Sequence, residues 1–196
     1  MEILLATNNH HKIQEMTAIL ANSPVKLQTP RALGIDLEIS ESGSSYQENA
    51  RIKAEAFAHA SGIPALADDS GLEVDALGGQ PGIHSHRFGI PQTQNDHERC
   101  LYLLEQLKQS PQPWRARFHS CVVLANPNGQ NLTAHGSCEG QIIPEFRGKN
   151  GFGYDPIFYI SNLGQTIAEL PDELKNQISH RARALQTLLR LLFLKN

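Results

Sequence analysis

Apolar residues along the chain follow two patterns: short continuous runs, and stretches in which they recur every three or four positions. The run Glu2–Ala6 predicts a strand, and the helical spacing of apolar residues over 13–20 predicts a helix after it. The polar stretch Thr7–Lys12 separates these two elements. A second short strand is predicted over 25–29, and Pro30 marks its end. The chain therefore opens as strand, polar loop, helix and strand.

The stretch that begins near residue 44 has a strong helix signal. Ser44 with Gln47, or Ser45 with Glu48, forms a capping-box pattern. A stripe of apolar residues at helical spacing follows, and it consists of Tyr46, Ala50, Ala54, Phe57 and Ala58. We expect this helix to stop just before Gly62, since glycine is favoured directly after a helix end.

The next apolar run, Ile63–Ala67, leads into Asp68-Asp69 and then into Ser70-Gly71. This order predicts a buried strand that carries two acids to its end, where the chain turns. Two adjacent anions at a strand end are costly unless a cation is bound there. A divalent metal such as Mg²⁺ is the usual cation, and a remaining carboxylate can accept a proton from an attacking water. On these residues alone, a plain polar turn explains the pattern equally well.

The second half of the chain mixes helices and strands. A helix is predicted from Thr93 to about Gln109, and its inward residues are expected to be Cys100, Leu101, Leu104 and Leu107. Strands are predicted over 115–125 and 131–138, joined by a hairpin-type turn, and again over 156–160. A last helix carries the apolar stripe of 178–192. The whole pattern predicts an α/β fold with a helix-covered sheet.

Composition narrows the class of protein. The chain has 196 residues, of which 40% are hydrophobic and 19% charged, as in an ordinary globular protein, so we expect one domain over 1–196. A formal net charge of −3 argues against a nucleic-acid partner. Three widely spaced cysteines fit free thiols in a reducing compartment. Without a leader-like segment or an apolar run of about 20 residues, we expect a cytoplasmic protein with no membrane partner.

The polar loop at the start of the chain is a natural phosphate site. Unpaired N–H groups at a helix start attract anions, Lys12 adds a positive charge, and Thr7, Asn8 and Asn9 add short polar side chains. The glycine pattern of a P-loop is absent, and an ordinary polar connection has the same composition. The loop alone therefore predicts phosphate binding only weakly.

Glu41, which precedes the predicted helix in a glycine-containing turn, is placed to share a metal with Asp69. Glu48 falls in the first helical turn, where a carboxylate caps the helix, and capping is its favoured interpretation. Lys53 either pairs with Glu48 or reaches the acidic site. These residues extend the candidate acidic site beyond the adjacent aspartates.

Two later segments carry further candidate chemistry. Phe152 stands between Gly151 and Gly153, so its ring can offer a stacking face to a planar base, although a bulged strand entry with a core Phe is the alternative. Lys175 and the run Ser179-His180-Arg181 lie at or near the start of the last helix. Cations are disfavoured there, which predicts a compensating ligand, whereas a solvated face is the alternative.

These segments, in this order and spacing, resemble the Ham1/RdgB-type family of inosine triphosphate pyrophosphatases. The resemblance spans nearly the whole chain, and the blocks that carry it are 67–72, 78–83, 151–156 and 178–181. It implies an elongated, curved mixed sheet flanked by helices, with two lobes around a central cleft, and assembly as a homodimer. It also implies Mg²⁺-dependent hydrolysis of XTP, ITP and dITP to the monophosphate and pyrophosphate, which removes these purine nucleoside triphosphates from the nucleotide pool.

The resemblance assigns roles position by position. Asp69 matches the general base, and Asp68 and Glu41 match acidic positions near the metal. The matches to substrate-binding positions are Thr7, Asn8, Asn9, His10, His11 and Lys12 in the phosphate loop, Ser70 as a further contact, Phe152 as the stacking ring, and Gly153, Tyr154, Asp155, Lys175, His180 and Arg181 in the base pocket.

The chain departs from the family pattern at three places. His11 stands where the family usually has glycine, and a positive φ there would strain a histidine. Ser40 stands where the family often has a second Glu before Glu41, and the stretch 84–87 has a histidine where alanine is common.

Two other classes of protein compete with the hydrolase. A purine nucleotide sensor without turnover gains little from a spare carboxylate, and a phosphatase with an Asp nucleophile normally has Asp-x-Asp spacing, which Asp68-Asp69 lacks. For the hydrolase, selectivity is expected at the purine 6-position. A keto oxygen there accepts from donors such as Arg181, whereas the amino group of adenine would leave donors unpaired at about 1–3 kcal/mol each.

Overall fold

The structure is a computed structural model and describes residues 1–193, so 194–196, the last part of the expected 1–196 domain, lie outside the described residues. The chain divides into two compact units. The first unit contains Met1–Asp69, Ser120–Gly136 and the segment from His180, and the second contains Ser70–His119 and Ser137–Ser179. None of the described helices is long and apolar enough to cross a membrane.

The strands form one mixed sheet in the order β2-β1-β3-β4-β5-β6-β7. They are β1 (Glu2–Leu5), β2 (Lys26–Gln28), β3 (Ala65–Val74), β4 (Trp114–Ala125), β5 (Asn131–Ile142), β6 (Phe158–Ile160) and β7 (Gln165–Thr166). β1 is parallel to both β2 and β3, whereas β6 is antiparallel to β5 and β7. The helices are α1 (His10–Leu20), α2 (Tyr46–Ser61), α3 (Asp96–Leu107), α4 (Asp172–Ile178) and α5 (His180–Phe193). The predicted α/β fold with a helix-flanked mixed sheet is confirmed.

The pleat of the strands sorts the core of the first unit into two clusters. One contains Ile3, Leu5, Leu66, Val122 and Leu124 with residues of α1 and α5. The other contains Leu4, Ala6, Ala65, Ala67, Cys121 and Val123 with residues of α2. Because successive residues of a strand point to opposite faces, Asp68 belongs to the face of α1 and α5, and Asp69 belongs to the face of α2.

β3 continues through Ser70-Gly71 to Val74, so the predicted turn after the two aspartates is wrong. In the sheet, β3 has β1 on one side and β4 on the other. β1 pairs with β3 at Ala65 and Leu66, so the neighbouring strand farther along β3 is β4. Strand pairing there outweighs the turn preference of a Ser-Gly pair, which only tertiary context reveals. The two acids therefore lie within a strand rather than at its end.

The helix starts follow the local polar residues. α1 begins at His10 because the Asn9 side chain accepts a hydrogen bond from Lys12 N at 3.1 Å. His11 is thus helical, and no described residue other than glycine has a positive φ, so the suspected strain is absent. α2 begins after Ser45, whose hydroxyl accepts from Glu48 N at 3.2 Å, and the Glu48 carboxylate accepts from Ser44 N at 2.8 Å. The predicted capping role of Glu48 is confirmed.

The second unit has its own apolar core, built from α3 and the strands around it. α3 is capped by Asn95 rather than Thr93, whose hydroxyl donates to the Phe88 carbonyl instead. The predicted inward position of Leu101 is wrong, since that residue is 48% exposed while Leu103 is fully buried. Buried Cys100, Leu103 and Leu107 recur every three or four residues and form the inner face, and Leu101 lies outside that stripe.

Candidate active site

Asp68 lies within β3, and its side chain is fully buried. Its Oδ2 atom accepts hydrogen bonds from Arg181 Nε at 3.2 Å and Nη2 at 3.1 Å, and it pairs with Lys12 Nζ at 2.9 Å. Its Oδ1 atom accepts from the Ser120 hydroxyl at 2.5 Å. A buried carboxylate is costly unless cations and donors surround it. Two cations and one hydroxyl meet that requirement for Asp68.

Arg181 stands in the first turn of α5 and is 1% exposed. Besides Asp68, its guanidinium contacts Glu15 on α1 through Nη1 and Oε2. The sequence predicts a ligand that compensates a cation at this helix start, and the structure places two carboxylates of the same unit there. His180, the residue before it, is also buried. Contact of His180 and Arg181 with a purine base stays a prediction.

Asp69 lies on the opposite face of β3, toward α2. Asn49 Nδ2 donates to its Oδ2 atom at 3.2 Å, and Lys53 Nζ donates to its Oδ1 atom at 3.4 Å. Asn49 and Lys53 are four residues apart, so they share one face of α2. Asp69 therefore receives one neutral amide and one ammonium, which is much weaker charge compensation than Asp68 receives.

The two aspartates differ in proton affinity for this reason. Burial raises the pKa of Asp69 above its ordinary value, and the charges of Lys53 and Lys12 offset this only in part. Burial acts in the same direction on Asp68, but Arg181 and Lys12 outweigh it and hold the pKa of that carboxyl well below its usual range. Asp69 is thus the better proton acceptor of the two, as a general base requires.

Glu41 shares the Lys53 ammonium with Asp69. Lys53 Nζ donates to Glu41 Oε1 at 2.7 Å and to the Asp68 carbonyl at 3.2 Å. Two carboxylate oxygens therefore converge on one position where positive charge is stabilised. The described residues contain no group of three or more His, Cys, Asp and Glu side chains able to hold an ion. One or two carboxylates completed by substrate phosphates are a typical Mg²⁺ ligand set, which Glu41 and Asp69 fit.

Asn49 links this carboxylate pair to the turn before α2. Its Oδ1 atom accepts from Gly43 N at 2.8 Å, and a Cβ on Gly43 would come within 2.7 Å of that oxygen. Asn49 is completely buried, so one amide orients Asp69 and also fixes the turn that follows Glu41. Asn49 has no role among the sequence-based predictions. Its place four residues before Lys53 is the signal that identifies it.

The polar stretch at the chain start divides into a loop and a helical turn. Thr7 Oγ1 accepts from Asn9 N at 3.1 Å, and Asn8 Nδ2 donates to the Leu37 carbonyl at 3.5 Å. His10 and His11 are exposed in the first turn of α1. Lys12 reaches the Asp68 carbonyl at 3.1 Å as well as its carboxylate. Among these loop residues, the structure therefore brings Lys12 to the acidic residues.

The second unit holds the predicted base-binding segment. Asp155 Oδ2 accepts from Phe152 N at 2.9 Å and from Lys175 Nζ at 2.6 Å, and both charged residues are buried. Lys175 Nζ also lies 5.0 Å from the centroid of the Phe152 ring. Gly151 has a φ of +75°, and a Cβ there would collide with Asp155 Oδ2. The glycine is therefore required for both the backbone conformation and the close approach.

Other predicted residues of the second unit lie in different surroundings. Tyr154 is 4% exposed within the apolar core, and its hydroxyl donates to the Ser85 carbonyl at 2.9 Å. Ser70, which follows Asp69 in β3, is half-buried. Contact of either residue with substrate stays a prediction.

Sequence reasoning missed two residues that complete the surroundings of Asp68. Glu15 pairs with Arg181, and Ser120 donates to Asp68 across a separation of 52 residues. Glu15 lies three residues after Lys12 on α1, which places both on one helix face and is a usable signal. Ser120 offers none, because only the pairing of distant strands brings it to β3.

Comparison with known proteins identifies the family. The model of the Ham1 family matches residues 3–191. The chain belongs to the Ham1 family. Ham1 proteins of known structure have the same fold: the one from Coxiella burnetii is 42% identical with a TM-score of 0.88 over 98% of both chains. The one from Staphylococcus aureus is 37% identical with a TM-score of 0.87 over the full length of both.

Two curated Ham1 relatives carry the name dITP/XTP pyrophosphatase. The protein from Desulforamulus reducens is 45% identical over 98% of this chain and 96% of its own length. The protein from Thermus thermophilus is 45% identical over 96% of this chain and 90% of its own length. These matches are nearly end to end, so they concern the whole chain and not a shared segment.

Proposed function

We propose that this Ham1 protein is a nucleoside triphosphate pyrophosphatase that hydrolyses XTP, ITP and dITP to the monophosphate and pyrophosphate. Its end-to-end similarity to relatives named dITP/XTP pyrophosphatase supports the activity. The observation that carries the proposal is the state of Asp69. It is a buried carboxylate with a raised pKa, held by Asn49 and Lys53 on the same face as Glu41.

In the proposed reaction, water attacks the α-phosphorus of the nucleotide. The bond from that phosphorus to the oxygen bridging the β-phosphate breaks, and pyrophosphate leaves with the bonding electron pair. Asp69 accepts the proton from the attacking water, since Asn49 orients its carboxylate and its charge is less compensated than that of Asp68. Lys12 and Lys53 place positive charge beside the reacting phosphates.

A divalent metal belongs to this proposal, because enzymes that act on nucleoside triphosphates generally need one. Glu41 and Asp69 would hold Mg²⁺, and the substrate phosphates and water would complete its ligands. The ion would supply neutralisation of the triphosphate charge. Lys53 contacts both carboxylates, so its side chain would have to move partly away from Glu41 and Asp69 when the ion binds.

The base-binding part of the proposal concerns the second unit. The Phe152 ring stacks on the purine, while Asp155 and Lys175 fix the backbone and the ring from behind. Asp155 and Lys175 neutralise each other in a buried ion pair, so they act first on the loop itself. The 6-keto preference implied by the resemblance adds His180 and Arg181, whose part in it stays a prediction.

Product analysis tests the proposed function. The protein is incubated with ITP and Mg²⁺ in heavy-oxygen water, and IMP, pyrophosphate and orthophosphate are quantified by chromatography and mass spectrometry. We expect equal amounts of IMP and pyrophosphate, with the heavy oxygen in IMP. Orthophosphate as the released product would indicate a phosphatase instead, and tight ITP binding without turnover would indicate a sensor.

A matched pair of variants tests the metal assignment. Glu41→Gln should raise the Mg²⁺ concentration needed for half-maximal ITP hydrolysis, because the variant loses one anionic ligand. Glu38→Gln is the control, since Glu38 is exposed in the same segment and undergoes the same change of charge. Equal Mg²⁺ requirements in the two variants would contradict a metal site at Glu41.

Two finer expectations complete the proposal. The resemblance implies a homodimer, which light scattering coupled to gel filtration measures directly as a mass of about twice that of the chain. A cytoplasmic location is also expected, and cell fractionation tests it. A monomeric mass at micromolar concentration would contradict the first expectation.

A further inference from the structure

Gly153, the residue directly after Phe152, has a φ of +64°, in the left-handed region. Nothing lies within 4 Å of the position that a Cβ on Gly153 would occupy, so the site has room for a larger residue. The glycine is therefore needed for its backbone conformation alone. A glycine linkage is intrinsically flexible, and contacts from outside the loop must hold it in one conformation.

Those contacts come from α3 within the same unit. Asp96 Oδ2 accepts from Gly153 N at 2.7 Å, and Cys100 Sγ donates to the Gly153 carbonyl at 3.4 Å. The two side chains are one helical turn apart and so share a face of α3. Both backbone polar groups of Gly153 are thus held by a single rigid element.

The two contacts differ in character. Asp96 supplies a charge-assisted hydrogen bond, and its other carboxylate oxygen contacts Arg99. Cys100 is 1% exposed, and burial raises the pKa of its thiol to about 12, so the thiol stays protonated and able to donate at neutral pH. We expect Asp96 to contribute more, because thiol hydrogen bonds are weak.

We propose that Asp96 and Cys100 are positioning residues that fix Phe152 for purine binding by clamping Gly153, an inference that rests on the proposed stacking role of Phe152. Asp155 holds the loop at Phe152 N, on one side of the ring, and the α3 clamp holds it on the other side. Neither residue touches substrate. Their loss frees the ring to move and lowers affinity for the base.

The clamp is tested by binding of IMP, measured by calorimetry, and by KM and kcat for ITP. Asp96→Ala should raise the Kd for IMP and the KM for ITP by about three- to tenfold, with kcat within about twofold. Asp96→Asn keeps an oxygen acceptor and should restore most of the affinity. Glu98→Ala is the matched control, because Glu98 lies in the same helical turn and bonds Gln94 N and Asn95 rather than Gly153.

A double-mutant cycle separates positioning from general loosening of the fold. In a Phe152→Ala background, Asp96→Ala should have no further effect on IMP affinity, since the ring that it positions is gone. Additive losses in the double variant would overturn the inference. Cys100→Ala should show the same pattern with a smaller loss, whereas Cys100→Ser should restore the donor. Cys138→Ala, at another buried cysteine of this unit, is the control for core packing.

The outcomes separate this inference from the proposed function. If the wild type releases pyrophosphate from ITP but Asp96→Ala binds IMP as well as Glu98→Ala does, the clamp is overturned and the function stands. If the wild type binds IMP without turnover and Asp96→Ala weakens that binding, the proposed function fails and the clamp stands. If Asp96→Ala does not fold, the comparison of Cys100→Ala with Cys100→Ser decides.

Discussion

Asp68 and Asp69 are adjacent in β3, and the two faces of that strand give them opposite surroundings. On the face of α1 and α5, Asp68 is matched by Arg181, Lys12 and the Ser120 hydroxyl. On the face of α2, Asp69 has the Asn49 amide and a Lys53 that it shares with Glu41. One carboxylate is fully compensated, and the other is not.

This difference shows how a strand can place two adjacent, identical residues in different charge environments. The full compensation of Asp68 lowers its pKa and ties α1 and α5 to the sheet, while its place near a metal stays a prediction. The partial compensation of Asp69 leaves its pKa raised, and its one cation, Lys53, is shared with Glu41. The alternation of side chains along a strand is sufficient to produce this result, because each face carries different helices.

The largest expected effect separates the two residues by activity. Asp69→Asn should fold normally, because the change is nearly isosteric, yet it should lose about 10²–10⁴-fold in kcat for ITP, the usual cost of losing a general base. Asp36→Asn is the control, since Asp36 is exposed in the same unit. Steady-state kinetics with equal amounts of folded protein measure the loss, and near-wild-type turnover would sink the assignment of Asp69 as base.

The second-largest expected effect distinguishes Asp68 from Asp69 by the free energy of unfolding. Asp68→Asn leaves the buried charges of Arg181 and Lys12 without their common partner, and breaking a buried pair in this way costs about 3–5 kcal/mol. Urea unfolding at neutral pH, compared with Asp36→Asn, measures the change in the free energy of unfolding. A cost below about 1 kcal/mol would show that water or other groups replace the lost carboxylate.

Arg181 tests whether the Asp68 face is purely structural. Since its guanidinium contacts Asp68 and Glu15, we expect Arg181→Ala to lower kcat/KM for ITP and for ATP by similar factors. The ITP-to-ATP ratio of kcat/KM should then stay within about threefold of the wild-type ratio. A tenfold fall in the ITP-to-ATP ratio, about 1.4 kcal/mol, would instead support the direct base contact that the resemblance implies.

The sequence predicted those elements whose signals are local. β1, β2 and α2 were expected at nearly their observed bounds, because an apolar run, a proline and a capping serine each act within a few residues. The strand end at Asp69 was wrong because strand pairing depends on neighbours distant in sequence. The cap at Thr93 was wrong because Asn95, two residues later, caps the helix while the Thr93 hydroxyl bonds the nearby Phe88 carbonyl. Local chemistry favoured a turn at Ser70-Gly71, but the sheet supplied hydrogen-bonding partners that no local pattern contains.

The candidate site follows the same division. Resemblance and residue type pointed to Asp69, Glu41 and Phe152, whereas the charge compensation of Asp68 comes from partners that lie far away in the chain. Arg181 and Asp68 are separated by 113 residues. Chemistry-bearing residues were therefore predictable, but which aspartate would be neutralised was not, since that depends on which helix covers each face of β3.

The smallest expected effect is the pH dependence of folding stability that results from the different surroundings of Asp68 and Asp69 on the two faces of β3. The folded pKa of Asp68 is lowered, so its stabilising contribution is present above the unfolded value of 3.8 and is lost only as the pH falls through the lower folded value. The folded pKa of Asp69 is raised, so the fold favours its protonated form. That contribution is present below 3.8 and is lost as the pH rises through the higher folded value.

These opposite signs predict one measurable difference. At neutral pH, Asp69→Asn removes an unfavourable charge and should unfold at the same or a higher urea concentration than the wild type, whereas Asp68→Asn unfolds at a lower one. The difference in urea midpoint between the two variants should be widest near pH 7 and should narrow on acidification. The narrowing should begin when Asp69 in the Asp68→Asn variant takes up its proton. Groups common to both variants cancel in this difference. Urea midpoints at about pH 7 and about pH 4, without added metal, measure the gap. An unchanged gap would mean that the two faces of β3 do not hold their carboxylates in different charge environments.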